Sequence, residues 1–208
     1  MRVIAGSARG MRISAPRGGR ARPTTDRVRE ATFNALGSMG LVEGMSFVDA
    51  FAGSGALGIE ALSRGAAGCV FIESGRRELD SLRANLASTK LGERARVLGG
   101  DAMALLGADG QPGGVPADVL LADPPYEFDR WAELVGLAAA PVVVAESDRP
   151  VEVPHGWDVV RQRRYGSTIV TIIEAQPGTA DTGGDSDPGT GMPQPPVRQN
   201  PEAGPTGS

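Results

Sequence analysis

The chain has 208 residues, which is enough for one well-packed domain and marginal for two. It carries a formal net charge of −4, one cysteine and one histidine, so an internal disulfide and a site built from several histidines are excluded, and we expect no metal. No apolar run approaches the ~20 residues of a membrane span, and the N-terminus lacks the apolar stretch of a secretion signal. We therefore expect a cytoplasmic protein with no membrane partner, and a monomer by default.

The charge is distributed unevenly along the chain. Residues 1–30 contain eight arginines and two acids, a local balance of +6 on a chain that is acidic overall. A basic segment on an acidic body is typical of a polyphosphate contact, although an arginine-rich loop that only faces solvent has the same composition. We take residues 1–30 as a basic N-terminal arm, in which the candidates for nucleic-acid contact are Arg9, Arg12, Arg20 and Arg22.

In chain order, the pattern begins with a small hairpin in which 3–5 and 11–13 flank a glycine-rich turn. A helix should follow, capped by Thr24 or Thr25 and ending near Gly37. Strand and helix patterns then alternate. The predicted strands are 46–50, 69–73, 95–99, 119–122 and 142–146, and the predicted helices between them are 55–63, 77–89, 102–106 and 128–137.

The strands of this series are apolar almost throughout, which is typical of a parallel sheet covered by helices on both faces. The last two predicted strands, 157–163 and 167–174, have no helix between them and should form an antiparallel hairpin at a sheet edge. Residues 177–208 contain seven Pro, seven Gly and no aromatic residue, too little apolar surface to fold. The sequence therefore predicts a single α/β domain over 1–176 with a mostly parallel sheet, followed by a disordered tail.

Three glycines, Gly53, Gly55 and Gly58, form a G-x-G-x-x-G pattern between the first predicted strand and its helix. Residues without side chains let backbone and ligand approach closely at such a turn. By itself the pattern is a weak signal, compatible with a dinucleotide or with S-adenosylmethionine. Its position after a strand and at the start of a helix favours a cofactor site over a simple tight turn.

Acidic residues accompany three successive strands near their carboxyl ends. Asp49 precedes the glycines, Glu73 ends the second strand where it could accept both ribose hydroxyls, and Asp101 follows the third where it could meet an adenine edge. Three carboxylates would repel a pyrophosphate, whereas they would attract a cationic sulfonium. The acids thus favour S-adenosylmethionine over NAD as the cofactor.

The sequence Asp123-Pro124-Pro125-Tyr126 follows the fourth predicted strand, at the edge where open α/β sheets bind ligands. The carboxylate and the Pro124 carbonyl can accept hydrogen bonds from an exocyclic amino group, and proline has no N–H to compete. Tyr126 can stack on a flat base, which contributes ~1–3 kcal/mol per base. The motif therefore indicates methyl transfer to an amino nitrogen of a nucleobase.

Several segments together resemble the RsmD-type bacterial 16S rRNA (guanine-N2)-methyltransferases: residues 1–10, 22–30, 33–34, 49–58, 60–66 and 123–126. The resemblance covers about residues 1–175 and implies a Rossmann-like class I S-adenosylmethionine-dependent methyltransferase fold. It also implies methylation at N2 of one guanine, the position numbered 966, in 16S rRNA or the small ribosomal subunit. The candidate cofactor-binding residues are Asp49, Phe51, Gly53, Gly55, Gly58, Glu73, Asp101 and Ala102, and the candidate catalytic residues are Asp123, Pro124 and Tyr126.

Three alternatives compete with this interpretation. The Asp-Pro-Pro-Tyr motif also occurs in enzymes that methylate adenine N6 or cytosine N4 in DNA, but only about 45 residues precede the first core strand, and no insertion could form a domain that reads base edges. A non-catalytic RNA-binding module would leave both motifs unused. An NAD-dependent oxidoreductase would leave the second motif unexplained.

Overall fold

A computed structural model describes residues 1–15, 26–107 and 114–177 of the chain. Four residues singled out above, together with the predicted tail after 177, lie outside these ranges: Arg20, Arg22, Thr24 and Thr25. Within the described ranges, no helix is both long and apolar enough to cross a membrane.

The described part of the chain folds into helices on the two faces of one sheet. The helices are α1 Asp26–Ser38, α2 Ala56–Ser63, α3 Arg76–Thr89, α4 Ala102–Leu106 and α5 Trp131–Leu137. The strands are β1 Ser46–Ala50, β2 Gly68–Glu73, β3 Ala95–Gly99, β4 Val119–Ala122, β5 Val142–Ser147, β6 Trp157–Tyr165 and β7 Thr168–Ala175. A short 3-10 turn, Gly92–Arg94, precedes β3.

The sheet has the strand order β3-β2-β1-β4-β5-β7-β6. The strands from β1 to β5 pair in parallel, and β7 is antiparallel to both of its neighbours. The prediction of a mostly parallel sheet with an antiparallel C-terminal hairpin is confirmed. Because the chain proceeds outward from β1 to one side and from β4 to the other, the carboxyl ends of these two strands form the point where ligands bind in such sheets.

Each face of the sheet has its own core. On one face, Phe47 of β1 belongs to a buried cluster with Phe33 of α1, Leu62 of α2 and residues of α3. On the other face, Val48 belongs to a cluster with residues of α4 and α5, among them Leu134. Successive side chains of a strand point to opposite faces, so a strand buried on both sides must be mostly apolar. In β1 the buried exception is Asp49.

Two predicted elements differ from the structure. The N-terminal hairpin contains one antiparallel bridge, between Arg2 and Arg12, because the next N–H groups of its first strand turn away to the Glu60 carboxylate of α2. The helix predicted over 128–137 begins at Trp131, because the N–H of Phe128 bonds to the Pro125 carbonyl in a turn, with an N···O distance of 2.9 Å.

Candidate active site

The carboxyl ends of β1, β2 and β4 lie side by side at one edge of the sheet, which we call the active edge. Ala50, the last residue of β1, pairs with Ala122, the last residue of β4. Phe51, Glu73 and Asp123 therefore leave adjacent strands at similar heights, about 4.8 Å from one strand to the next. The fold thus brings the glycine turn, the acid of β2 and the Asp-Pro-Pro-Tyr motif into one site.

The three glycines of the turn after β1 have different surroundings. Gly53 and Gly55 have positive φ angles of 53° and 82°, which favour glycine. A Cβ at Gly53 would meet no atom within 4 Å, so this side of the turn is open to a ligand. A Cβ at Gly55 would lie 2.3 Å from Leu82 Cδ1, and one at Gly58 would lie 2.3 Å from Phe71 Cε1. Packing of α2 against its neighbours therefore requires Gly55 and Gly58, a distinction that the sequence pattern does not make.

Glu73 fixes the turn to the end of β2. Its Oε2 accepts the Gly53 N–H at 2.8 Å, and its Oε1 accepts the Gly75 N–H at 2.6 Å. Each carboxylate oxygen has two acceptor positions, so both oxygens can still accept a hydroxyl. The predicted ribose contact is compatible with these bonds.

Asp49 is the buried acid of the site. It is 1% exposed, and its Oδ2 accepts the Gly58 N–H at 2.8 Å. Burial is the main cause that raises the pKa of Asp49 from 3.8 to about 7; the Gly58 hydrogen bond lowers it, and the charges of Asp123 and Glu73 raise it. Since a cation close to these acids would relieve their mutual repulsion, the site is suited to a positively charged ligand.

Asp101 and Ala102 lie where β3 passes into α4. The exposed Asp101 caps α4, because its Oδ1 accepts the Ala104 N–H at 2.9 Å, and Ala102 is buried as the first residue of that helix. The structure thus shows a capping bond for Asp101, and its contact with an adenine edge stays a prediction.

The Asp-Pro-Pro-Tyr motif, which we call the reactive motif, directly follows β4. Asp123 is half-buried and Pro124 is buried, whereas Tyr126 is 43% exposed. Asp123 is near enough to the cofactor turn for its charge to raise the pKa of Asp49. The motif thus combines an acid close to the glycine turn with an accessible aromatic ring, and the contact of both groups with a flat base stays a prediction.

Two residues that were not predicted as site residues from the sequence, Phe128 and Arg149, stabilise the loop 123–128, which we call the reactive loop. The ring of Phe128 packs edge-on against Phe51 and Trp131, with centroid distances of 5.4 Å and 5.3 Å. Arg149, which follows β5, donates to the carbonyls of Tyr126 at 3.3 Å and Phe128 at 3.1 Å. Phe51 has a φ of 62°, an uncommon value for a residue other than glycine. The spacing of Phe128 and Trp131, three positions apart, could have been noticed in the sequence. The contact of Arg149 with the reactive loop could not, because it joins two loops that are distant in the chain.

The N-terminal arm is anchored on α2 by a buried carboxylate. Glu60 is 0% exposed and accepts the N–H groups of Ile4 and Ala5 at 2.8 Å and 3.1 Å. Its oxygens also lie 3.6 Å from Arg29 Nε and 2.7 Å from Arg64 Nε. The arm therefore follows the body of the protein over the residues that the structure describes.

The arm runs along α2 from one end of the helix to the other. At the end of α2, the Ser63 hydroxyl accepts the Ala8 N–H at 3.0 Å. At the other end, the Asn85 amide donates to the carbonyls of Ser14 and Ser54, both at 2.9 Å, and so ties the arm to the glycine turn. The tip of the hairpin thus lies away from the active edge, and the chain returns to that edge at Ser14.

The structure separates the predicted RNA contacts. Arg9 is exposed at the hairpin tip, about one length of α2 (~12 Å) from the active edge. Arg12 is exposed closer to that edge, two residues before Ser14. Arg29, which the charge count included, is 0% exposed and donates to the Arg2 carbonyl at 2.6 Å. Its charge is therefore buried and does not contribute to the surface of the arm. The surface of the arm is therefore less basic than the sequence count predicted.

Taken together, the site offers acids for a cation, an open glycine turn and an exposed ring. Over 1–15, 26–107 and 114–177, no group of three or more His, Cys, Asp or Glu residues is placed to hold a metal ion. The strand order, the glycine turn after β1 and the acid that ends β2 define a Rossmann-like class I methyltransferase fold. The solved structure of the Escherichia coli protein yhhF has this fold, with a TM-score of 0.72, 37% identity, and coverage of 85% of this chain and 98% of that chain.

Comparisons of sequence identify the family. The family model described as Conserved hypothetical protein 95 matches residues 1–174. Ribosomal RNA small subunit methyltransferase D of Escherichia coli (strain K12) is 36% identical over 188 residues, which cover 85% of this chain and 90% of that protein. YlbH of Bacillus subtilis (strain 168) is 38% identical over 184 residues, which cover 84% and 98%. The chain belongs to the RsmD-type family and is a methyltransferase, which confirms the resemblance found in the sequence.

Proposed function

We propose that the protein transfers a methyl group from S-adenosylmethionine to N2 of one guanine in 16S rRNA, at the position numbered 966. The pairing of Ala50 with Ala122 carries the proposal, because it sets the Asp-Pro-Pro-Tyr motif beside the glycine turn. The name of the Escherichia coli relative supports ribosomal RNA of the small subunit as the substrate. We propose that the protein acts as a monomer in the cytoplasm, on naked rRNA or on the small subunit.

The chemistry of the cofactor turn supports S-adenosylmethionine as the donor. When bound, this cofactor supplies an activated methyl group on a cationic sulfonium. Asp49 and Glu73 provide negative charge for the cation, and Glu73 also has acceptor positions for the ribose hydroxyls. The open face of Gly53 allows the close approach of a ligand to the backbone, and Asp101 is our candidate for the adenine edge.

The reactive loop would position the amino group and stabilise its developing charge. Asp123 and the Pro124 carbonyl would accept the two N–H groups of guanine N2, which favours a more pyramidal nitrogen and offsets the positive charge that forms as the methyl group arrives. Positioning alone can contribute ~7–11 kcal/mol to lowering such a barrier. No strong base is therefore required, and the nitrogen can lose its proton to water.

The exposed ring of Tyr126 would stack on the target base. Stacking contributes ~1–3 kcal/mol, which is comparable to the few kcal/mol needed to move a base out of a helix. Among the arm residues, Arg12 is better placed than Arg9 to contact phosphates near this base, and Arg20 and Arg22 remain candidates by sequence. RNA recognised by shape suits a compact enzyme of this kind.

The proposal is tested with a methyl-labelled donor and three substrates: naked 16S rRNA, assembled small subunits and duplex DNA. We expect label in at least one RNA substrate, on N2 of a single guanine, with none in DNA. Label in adenine or cytosine of DNA, with none in RNA, would show that the DNA amino-methyltransferase alternative is correct.

A further inference from the structure

The edge strand β6 ends at the active edge of the sheet. Because β7 is antiparallel to β5, Ser147 at the end of β5 pairs with Ile169 near the start of β7. Tyr165 at the end of β6 pairs with Thr168. The β6–β7 turn therefore lies at the same edge as Asp123, with β5 and β7 between β4 and β6.

The second half of β6 is strongly basic. Arg161, Arg163 and Arg164 are all exposed on this strand. None of the three forms an ion pair with another residue that the structure describes. In a chain with a net charge of −4, these cations make a local positive surface beside an acidic active site.

The three arginines extend around both faces of the strand. Arg161 and Arg163 pair with Ile172 and Val170, whose side chains belong to the core cluster that includes α1 and α2. Arg164 follows Arg163 and so points to the opposite face of the sheet. The positive charge thus surrounds the free edge of the sheet, an arrangement suited to the curved backbone of a polyanion.

The distance to the reactive motif fits a single RNA substrate. Three strand spacings separate β4 from β6, which is about 14 Å. A base placed at Asp123 belongs to a strand whose flanking phosphates can extend across this distance within a few nucleotides. Residues 1–15 of the arm hydrogen-bond to α2 and α3, and these helices pack on β1, β2 and β3. Because β6 is at the other end of the sheet, it would contact the RNA on the other side of the target base from residues 1–15.

We propose that β6, through Arg161, Arg163 and Arg164, is a second RNA-contact surface that binds phosphates of the substrate beside the target guanine. The inference rests on the proposed function for its RNA substrate. Charges on an edge strand also prevent edge-to-edge pairing, but charges of either sign would do this. Of the four exposed charged residues of β6, the three in its second half are all positive, and Asp158 lies at the end away from the active edge. Antiparallel pairing of two copies of β6 that is centred on this basic half would place arginines opposite arginines, which is destabilising.

The test compares two variants with equal changes in net charge. The β6 variant is Arg161→Gln/Arg163→Gln/Arg164→Gln. The control variant is Arg83→Gln/Lys90→Gln/Arg96→Gln. Its three residues are exposed and lie far from β6: Arg83 is on α3, Lys90 directly follows α3, and Arg96 is on β3. Binding of a 16S rRNA fragment that contains the target is measured over a range of salt concentrations. The slope of the logarithm of the RNA-binding constant against the logarithm of salt concentration should be smaller in magnitude for the β6 variant by about 2–3, since each phosphate contact contributes ~0.7–0.9. The control should keep the wild-type slope.

The outcomes separate this inference from the proposed function. A wild type that methylates the RNA, together with a β6 variant that keeps the wild-type slope, would overturn the role of β6 alone. Equal losses in both variants would overturn it too, because they would show an effect of net charge only. A wild-type dimer in light scattering that the β6 variant dissociates would make the strand a self-association surface instead. Failure of the wild type to bind or methylate any RNA would count against the proposed function.

Calorimetry with S-adenosylmethionine and a thermal melt check that both variants are folded, and we expect wild-type donor affinity in each. If the triple variant does not fold, Arg163→Gln replaces it. The expected loss of slope is then about 0.7–0.9, the contribution of one phosphate contact, and an unchanged slope would overturn the proposal.

Discussion

Two buried carboxylates near α2 have opposite surroundings. Glu60 accepts two backbone N–H groups and lies close to the guanidinium groups of Arg29 and Arg64. Asp49 accepts one backbone N–H, and its charged neighbours include Asp123. A buried charge is tolerated when it is paired and hydrogen-bonded, and it costs stability when it is not. The comparison indicates that Glu60 holds the fold together, and we propose that Asp49 gains its compensating charge from the bound donor.

The largest expected effect is on the structural carboxylate. Glu60→Gln removes the charge that faces Arg29, which is 0% exposed, and puts amide hydrogens against backbone N–H groups. Breaking a buried pair in this way costs about 3–5 kcal/mol, which for a domain of this size is a fall of roughly 10 °C in the melting midpoint. The control is Asp80→Asn, which removes an exposed partner of Arg83 and should leave the midpoint almost unchanged. Equal midpoints for the two variants would contradict the role of Glu60.

The next effect should appear at the active edge without a loss of stability. Tyr126→Ala removes the exposed ring that would stack on the base and should lower transfer to RNA by about tenfold or more, since stacking contributes ~1–3 kcal/mol. Tyr126→Phe keeps the ring and should retain most of the activity. The measurement is kcat/KM for the RNA substrate. Equal losses in the two variants would show that the hydroxyl, not the ring, is the group that matters, and wild-type activity in Tyr126→Ala would exclude stacking.

A smaller effect depends on pH. Because the pKa of Asp49 is raised to about 7, the native state binds more protons than the unfolded state between about pH 4 and 7, and the contribution of Asp49 to stability falls as pH rises through that window. Asp49→Asn can still accept the Gly58 N–H, so it should raise the melting midpoint more at pH 8 than at pH 5. Thermal melts at both values check this; an increase confined to pH 5 would contradict it.

The same ionisation should affect donor binding. In the wild type, affinity for the cationic donor should rise between pH 6 and 8. The rise should be up to about tenfold for each unit by which donor binding lowers the pKa of Asp49. In Asp49→Asn, donor affinity should change little with pH. Calorimetry at the two pH values measures the difference. A neutral thioether product of the donor should show less pH dependence than the donor itself.

The smallest effect is expected at Arg149. Its guanidinium holds the reactive loop through two carbonyls, but the side chain is half exposed and solvent can replace these bonds. Arg149→Gln should lower kcat a few-fold and leave donor affinity unchanged, because the loop is held less firmly in position. A change confined to donor affinity would place Arg149 in the cofactor site instead.

The sequence predicted what depends on local pattern. Apolar runs located all five parallel strands, and the glycines marked the turn between β1 and α2. Contacts between distant segments were not predictable, because periodicity relates neighbours in one element and does not report pairs such as Glu60 with Ile4, or Asn85 with Ser14. The burial of Arg29 shows the same limit: its charge was counted with a surface arm, and only the tertiary fold reveals its partners.

The most direct test of the central claim is the Asp123→Ala variant, measured for donor affinity by calorimetry and for methyl transfer in a single turnover. Asp123 is assigned to the amino nitrogen of the target base, where charge develops during transfer, so its loss should reduce the transfer rate at least ~100-fold. Donor affinity should stay within about threefold of the wild type, because the turn held by Glu73 is intact. A parallel loss of affinity and transfer would contradict the account, since it would make Asp123 part of the cofactor site rather than the group that receives the base.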